Sequence, residues 1–140
     1  MPMIDVYAPE GLFPDTRRLA ADLAGAVMTA EGVPDIPMFR RNTAAFVHEL
    51  PEAAISDVDG DGRHVRVQVL TNAGALDRDK QIDVVARLTA LVAAAADGEL
   101  PAERIWVLLT EAAEGGWGLW GHAHTNAELV AEARRRLTTA

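Results

Sequence analysis

The residue with the clearest chemical potential is the proline at the second position. Pro2 follows Met1 and leads into a short apolar run, Met3-Ile4-Asp5-Val6-Tyr7-Ala8. Aminopeptidases remove an initiator methionine readily when the next residue is as small as proline, so we expect the mature chain to begin with a secondary amine. Such an amine acts as a base or a nucleophile when burial or nearby cations lower its pKa.

Cations and aromatic residues elsewhere are candidates for binding a small anionic ligand. The net charge is −8 at pH 7, so a protein of this composition needs local cations to hold an anion. Arg40 and Arg41 lie together in an irregular segment before a predicted strand. Trp117 and Trp120 lie in a glycine-rich segment and favour a pocket wall, and His48 is a candidate to lie beside the amine. Solvated arginines, packed tryptophans and an ordinary strand histidine are the alternative interpretations.

Two sequence patterns look like metal sites, yet neither predicts one. Residues 57–62 fit the first half of a calcium loop, but Gln68 stands where the bidentate acid belongs, and a strand follows. His122 and His124 lie two residues apart without a third ligand. The chain has no cysteine, which excludes disulfides and thiolate ligands. We therefore predict neither a metal nor a cofactor.

The composition of the chain limits the classes of partner that it can bind. The acidic balance argues against nucleic acid and against an anionic membrane surface. No apolar run approaches the roughly 18 residues of a membrane span, and no signal-peptide pattern opens the chain. A cytoplasmic protein that binds a small molecule is the resulting expectation.

Apolar periodicity predicts a β-α-β unit that occurs twice. Residues 3–8 and 43–50 form the predicted strands of the first unit, and a helix opened by Pro14-Asp15 joins them. The second unit has predicted strands at 64–70 and 105–110, with a helix that begins after the N-cap Asp77. The last of these strands is continuously apolar, which predicts that it is buried.

The two units are an internal duplication. Val6 and Val69 match at a spacing of 63 residues, as do Gly11 with Gly74 and Leu19 with Ile82. Each unit implies a parallel strand pair with a right-handed crossover. The uncovered face of the resulting sheet predicts self-association.

The predicted fold class is α+β. A four-stranded mixed sheet carries two helices on one face, and a C-terminal hairpin and a short helix complete the chain. Thr125 to Glu128 form a capping box that opens this last helix. We predict a single domain over residues 1–140, with repeat one at about 2–50, repeat two at about 64–111, and the hairpin and helix at about 115–138.

The strand-leading proline, the repeated unit and the glycine-rich aromatic hairpin together resemble the tautomerase superfamily. Its members include 4-oxalocrotonate tautomerase, macrophage migration inhibitory factor, malonate semialdehyde decarboxylase and the chloroacrylate dehalogenases. The resemblance covers about residues 2–121 and is carried by residues 2–11 and 105–118. It implies a homotrimer whose sheets enclose a central channel, with Pro2 as the catalytic amine. Position 65 matches Pro2 in the second repeat and is internal, so one site per chain follows.

The sequence departs from familiar members of this superfamily at their cations. The positions of their arginines, and of the dehalogenase histidine and tyrosine, are occupied here by Leu12, Trp106, Asn72, Ala75, Met28 and Leu108. Hydrolytic dehalogenation by the known residues is therefore not expected. Arg40 and Arg41 are the nearest replacements, reaching a neighbour's Pro2 in a trimer, and Trp117 stands for the family's hairpin aromatic.

The resemblance implies a proline-dependent tautomerase that moves a proton between the keto and enol forms of a small, carboxylated substrate. A hydratase or decarboxylase acting on a small unsaturated or 3-oxo acid through protonated Pro2 is the alternative enzyme. A non-catalytic trimeric protein that binds a small molecule is the third interpretation, and the missing arginines keep it open.

Overall fold

A four-stranded mixed sheet with two long helices forms the body of the protein. The computed structural model describes residues 1–139. The strands and α-helices of this part of the chain follow in the order β1 (Met3–Pro9), α1 (Thr16–Glu31), α2 (Pro37–Arg40), β2 (Ala44–Leu50), β3 (Val65–Thr71), α3 (Arg78–Ala95), β4 (Ile105–Glu111), β5 (Trp117–Leu119), β6 (His122–His124) and α4 (Asn126–Thr139). The α+β architecture with a C-terminal hairpin and helix is confirmed. The segment before β2, predicted to be irregular, contains the one-turn helix α2.

The sheet has an approximate two-fold axis through its centre. Its strand order is β2-β1-β3-β4, with parallel outer pairs and an antiparallel central pair. In the central pair, Asp5 lies opposite Gln68, which is 63 positions later in the chain. A residue that faces its own counterpart marks the axis, and the duplication predicted from the sequence is therefore present in the structure.

Side-chain caps fix where the helices begin. The carboxylate of Asp15 accepts a hydrogen bond from the Arg18 amide, and that of Asp77 accepts one from the Lys80 amide, each at 2.9 Å. Asp77 is confirmed as a cap. Asp15 lies just before α1 and caps it, whereas the sequence placed it inside the first turn.

The core lies between the sheet and the two long helices. The inward side chains of β1 and β3 pack against the apolar faces of α1 and α3, and all of the following are fully buried: Ile4, Val6, Val67, Val69, Leu23, Leu88. The buried face of α3 is Val84, Leu88 and Val92, whereas Ile82, the repeat counterpart of the buried Leu19, is 54% exposed. None of the helices within residues 1–139 has the length and apolar character that a membrane crossing requires.

The opposite face of the sheet carries large apolar side chains in contact with solvent. Phe46, Trp106 and Leu108 are 54%, 42% and 46% exposed. Within one chain β4 is an edge strand with one uncovered face, so the predicted burial of residues 105–110 is wrong at Trp106 and Leu108. The reason is that a continuous apolar run does not distinguish a strand buried in its own subunit from one that meets another subunit.

Candidate active site

The amino terminus is buried inside the protein. Met1 is 3% exposed, Pro2 is buried, and the Pro2 carbonyl oxygen accepts a hydrogen bond of 3.3 Å from the Ala44 amide. This bond extends the pairing of β1 with β2 to the start of the chain. The Met1 amine donates a hydrogen bond of 3.2 Å to the Glu31 carboxylate.

The end of α1 positions that carboxylate. Glu31 is the last residue of the helix, and Gly32 ends it with a φ of 73°, in the left-handed region that favours glycine. The Lys80 ammonium group donates a hydrogen bond of 2.8 Å to the Glu31 carbonyl oxygen, one of the unpaired acceptors at a helix end. Main-chain geometry and a side chain from the second repeat thus hold Glu31 in place.

Two opposing effects act on the protonation of the chain amine. Burial lowers the pKa of the Met1 amine below its usual value, because water no longer solvates the ammonium form. The Glu31 carboxylate opposes this shift through its charge and its hydrogen bond. Burial is the larger effect, so at a given pH more of an amine at this end of the chain is in the neutral form than in water.

A cavity of about 450 Å³ opens beside the amino terminus. Both repeats and the C-terminal helix contribute to its wall, with Met1, Glu31, Phe39, Asn72, Leu129 and Arg134 among the lining residues. Most of this wall is apolar, and the cavity opens to solvent beside exposed residues such as Arg134. The cavity has the size and character of a site for a small organic molecule.

The Met1 side chain fills the floor of this region within an apolar cluster. Its buried neighbours in the cluster are Met38, Phe39, Trp117, Leu129 and Ala133. Because α4 contributes Leu129 and Ala133, the C-terminal helix covers the start of the chain. Removal of Met1 would leave a space bounded by these side chains next to Pro2.

Of the aromatic candidates, the structure brings Trp117 to the amino terminus. Trp117 is 6% exposed and belongs to the same apolar cluster as Met1. Trp120 is 53% exposed, and the Arg136 guanidinium lies over its ring at 4.7 Å from the centroid. One chain therefore places the two tryptophans in different environments.

The polar candidates Arg40, Arg41 and His48 are not among the residues that line this cavity. Arg40 and Arg41 are exposed, and Arg40 forms an ion pair of 2.8 Å with Asp35. His48 lies on the uncovered sheet face, where its Nε2 is 2.7 Å from the Asp5 carboxylate. Their binding roles remain predictions.

The acidic loop between the repeats holds a compact polar group. One ligand atom each of Asp57, Asp61 and His64 lies within 4.8 Å of the others. His64 Nε2 is 2.8 Å from the Asp57 carboxylate, and Arg104 pairs with Asp61. Since both carboxylates already have basic partners, the arrangement supports the interpretation of this loop as a structural connector.

Two residues at the cavity were missed from the sequence. Glu31 continues the apolar stripe of α1, since Leu19, Leu23 and Val27 precede it at steps of four residues, and a carboxylate on such a stripe was the available signal. Arg134 gave no comparable signal, because it is one of three consecutive arginines on α4. Its neighbours Arg135 and Arg136 pair with Glu132, whereas Arg134 lines the cavity.

Sequence comparison matches no protein-family model and no curated protein. Solved structures show similarity in three dimensions. A fused 4-OT described as a wild-type symmetric trimer is 18% identical, with a TM-score of 0.75 over 91% of this chain and 98% of the other. Pt0534, described as inactivated by 2-oxo-3-pentynoate, is 17% identical with the same TM-score and coverage. A member of the cis-3-chloroacrylic acid dehalogenase family is 18% identical, with a TM-score of 0.68 over 99% of both chains.

These structures belong to the tautomerase superfamily, and the present chain has their fold. The resemblance deduced from Pro2, the duplication and the terminal hairpin is thus confirmed at the level of the fold.

Proposed function

We propose that the protein is a proline-dependent tautomerase. The observation that carries this proposal is the buried chain amine, which lies at an apolar cavity beside a carboxylate in a fold shared with tautomerase-superfamily enzymes. Acid–base catalysis needs a group whose pKa lies near the operating pH, and burial lowers an amine toward that range. The substrate class is a small keto or enol compound.

In the proposed reaction, the neutral Pro2 amine takes a proton from the enol oxygen or the carbon of the substrate. The electron pair of the broken bond moves into the conjugated system, and the resulting ammonium group returns the proton at the other end of that system. Proton and electrons balance without a cofactor or an oxidant. Trp117 and the apolar wall keep water from competing as an acid.

Loss of Met1 is a requirement of this proposal, because a proline nitrogen in a peptide bond carries no basic lone pair. The side chain of Met1 also occupies the region that the substrate needs. Intact-mass measurement of the purified chain tests this step directly. A chain that retains Met1 in full would contradict the proposed activity.

Arg134 is our candidate for the cation that holds the substrate carboxylate. It lines the cavity from α4, and guanidinium groups bind carboxylates through paired hydrogen bonds. We expect Arg134→Ala to raise KM about tenfold with little change in kcat. Arg135→Ala is the matched control, because Arg135 pairs with Glu132 outside the cavity wall. Arg40 and Arg41 stay predictions for the site of an adjacent subunit.

We further propose that the active form is a homotrimer in the cytoplasm. The exposed apolar side chains Phe46, Trp106 and Leu108 form a face that association would cover, and a fused 4-OT with the same fold is described as a symmetric trimer. Light scattering on the purified protein tests the trimer. A monomer at all concentrations would contradict it.

A second candidate is a hydratase or decarboxylase. The Glu31 carboxylate favours the ammonium form of a nearby amine, and this form would act as an acid toward a small unsaturated or 3-oxo acid. Product analysis by NMR distinguishes the two, since hydration or loss of carbon dioxide changes the carbon skeleton or its oxidation pattern, and tautomerisation does not.

The decisive experiment uses 2-oxo-3-pentynoate, the compound that inactivated Pt0534. A neutral Pro2 amine adds to the alkyne carbon remote from the carbonyl group, and the adjacent carbon gains a proton, so the mass of the chain rises by one inhibitor. We expect this label on Pro2 and a loss of phenylenolpyruvate ketonisation in both the labelled protein and Pro2→Ala. Equal rates for wild type and Pro2→Ala, with no label, would refute the tautomerase.

A further inference from the structure

A buried carboxylate beside the chain amine has no part in the proton transfer described above. The Glu31 side chain is 3% exposed, and an ionised carboxylate is costly to bury unless a cation pairs with it. Its place at the carboxyl end of α1 adds to the cost, because the negative end of the helix dipole disfavours a second negative charge there. An apolar or amide side chain would avoid both costs, so the charge itself calls for a function.

The other cations of this region are occupied or lie at the cavity edge. Lys80, on α3, directs its ammonium group to the Glu31 carbonyl oxygen at 2.8 Å. Arg134, on α4, is exposed and lines the cavity. Within residues 1–139, the chain amine is the cation that forms an ion pair with the Glu31 carboxylate, at 3.2 Å.

Chain geometry carries this relation over to the processed protein. Three backbone bonds separate the nitrogens of Met1 and Pro2, which places these atoms at most about 3.7 Å apart. Loss of Met1 removes the present partner of Glu31 and leaves Pro2 with the new chain amine at the same end of the cavity. The flexible Glu31 side chain then has the Pro2 ammonium group as its replacement partner.

We propose that Glu31 is a positioning residue that acts through the Pro2 amine. Its carboxylate orients the amine and stabilises the ammonium form that carries the proton between the two ends of the substrate. This inference rests on the proposed function, in which positive charge develops on the Pro2 nitrogen as it takes the proton. A fixed negative group beside a developing charge lowers the barrier, and a dry, apolar site strengthens the effect.

The balance seen at Met1 explains why such a residue is needed here. Burial lowers the pKa of the chain amine, and Glu31 opposes that shift. By the resemblance to the tautomerase superfamily, Asn72 and Ala75 occupy positions at which some of its members have arginines. The amine is therefore tuned by an apolar wall and one carboxylate, and Glu31 keeps the ammonium form accessible during the reaction.

The test compares Glu31→Gln with Glu10→Gln, which removes the same charge from an exposed loop at the far end of β1. We measure the pH dependence of labelling of Pro2 by 2-oxo-3-pentynoate, together with kcat and KM for phenylenolpyruvate. In Glu31→Gln the amine should lose its proton at a lower pH, so labelling on the acidic limb should rise about tenfold. We expect kcat to fall about tenfold with KM nearly unchanged, and Glu10→Gln to behave as wild type.

Glu31→Asp keeps the charge but withdraws it by one methylene group, and it should shift the labelling profile in the same direction by less. This variant also decides the question if Glu31→Gln does not fold. A folded Glu31→Gln protein with the wild-type labelling profile and kcat would overturn the role of Glu31, while Pro2 labelling would leave the tautomerase intact. If wild type is not labelled and Pro2→Ala is as active as wild type, the proposed function fails, and this inference with it.

Discussion

The two repeats begin with equivalent strands, yet their starting points have different chemistry. At the start of the first repeat, Met1 places an amine on the buried carboxylate of Glu31. The equivalent position in the second repeat is His64, which is 8% exposed, stacks on Trp106 and binds the partly exposed Asp57. One backbone frame thus presents a chain end in one repeat and an internal peptide in the other.

The carboxyl ends of α1 and α3 also differ in charge. The residue 63 positions after Glu31 is Ala94, on α3, so the second repeat has no carboxylate at that position. Within residues 1–139, the buried acid Glu31 lies where a chain amine pairs with it. The comparison indicates that local charge, rather than the shared fold, determines which of the two repeats is equipped for acid–base chemistry.

The largest expected effect comes from blocking the chain amine of Pro2, at the start of the first repeat. A two-residue Gly-Ser extension before Pro2, left uncleaved, converts the amine into an amide and fills the space beside Trp117. We expect the rate of phenylenolpyruvate ketonisation to fall by about 10²–10⁴, the range for loss of a general acid–base group. The same extension placed after Ala140 is the control, and substantial activity in the N-terminally extended protein would contradict the role of the amine.

A second comparison uses the two hairpin tryptophans. Trp117→Ala removes a buried aromatic ring from the cluster that covers the amino terminus, and should lower the free energy of unfolding by about 3–5 kcal/mol. Trp120→Ala removes a ring that is 53% exposed and should cost much less. Urea denaturation measures both values. Similar losses for the two variants would show that the cluster around Met1 does not stabilise the fold.

The smallest effect is expected at the start of the second repeat, where His64 binds Asp57. The amide of Asp61 and the His64 ring lower the pKa of Asp57 by hydrogen bonding to its carboxylate. A lowered pKa contributes stability above the ordinary value of the carboxyl group, and this stability is lost as the pH falls through the lowered value. Asp57→Asn should therefore lower the midpoint of thermal unfolding by a few degrees at pH 7, and the gap from wild type should close as the solution is made strongly acidic.

The enzymatic rate at pH 7 separates this loss of stability from a loss of catalysis at the start of the first repeat. Asp57→Asn should retain the wild-type rate, since Asp57 lies in the loop between the repeats and outside the cavity wall. A large loss of activity in a folded Asp57→Asn protein would show that the starts of the two repeats are coupled.

The strands and helix starts were largely predictable, because they depend on local patterns. Alternating residues such as Val67 and Val69 mark a strand with one buried face, and Asp77 marks a helix start. The exposure of Trp106 was not predictable, since it depends on the order of strands in the sheet. Local patterns do not fix that order.

Of the residues near the amino terminus, the sequence singled out Pro2 and Trp117, and their roles in a site stay predictions. Glu31 joins them through the packing of α1 against the chain start, a contact between residues 30 positions apart. The cover supplied by Leu129 and Ala133 depends on where α4 docks, and the short-range pattern of that helix does not state it. Contacts distant in sequence assembled the cavity, and these are the contacts that periodicity leaves undetermined.

Burial of Met1 under the last helix limits when the chain can mature. A peptidase needs an accessible amino terminus, but Met1 is 3% exposed in the folded protein, and Leu129 and Ala133 of α4 belong to the same buried cluster. We therefore expect Met1 to be removed mainly before α4 docks on the start of the chain. Chains that fold unprocessed keep Met1 for as long as they stay folded, so synthesis rate and peptidase supply together set the fraction of competent sites.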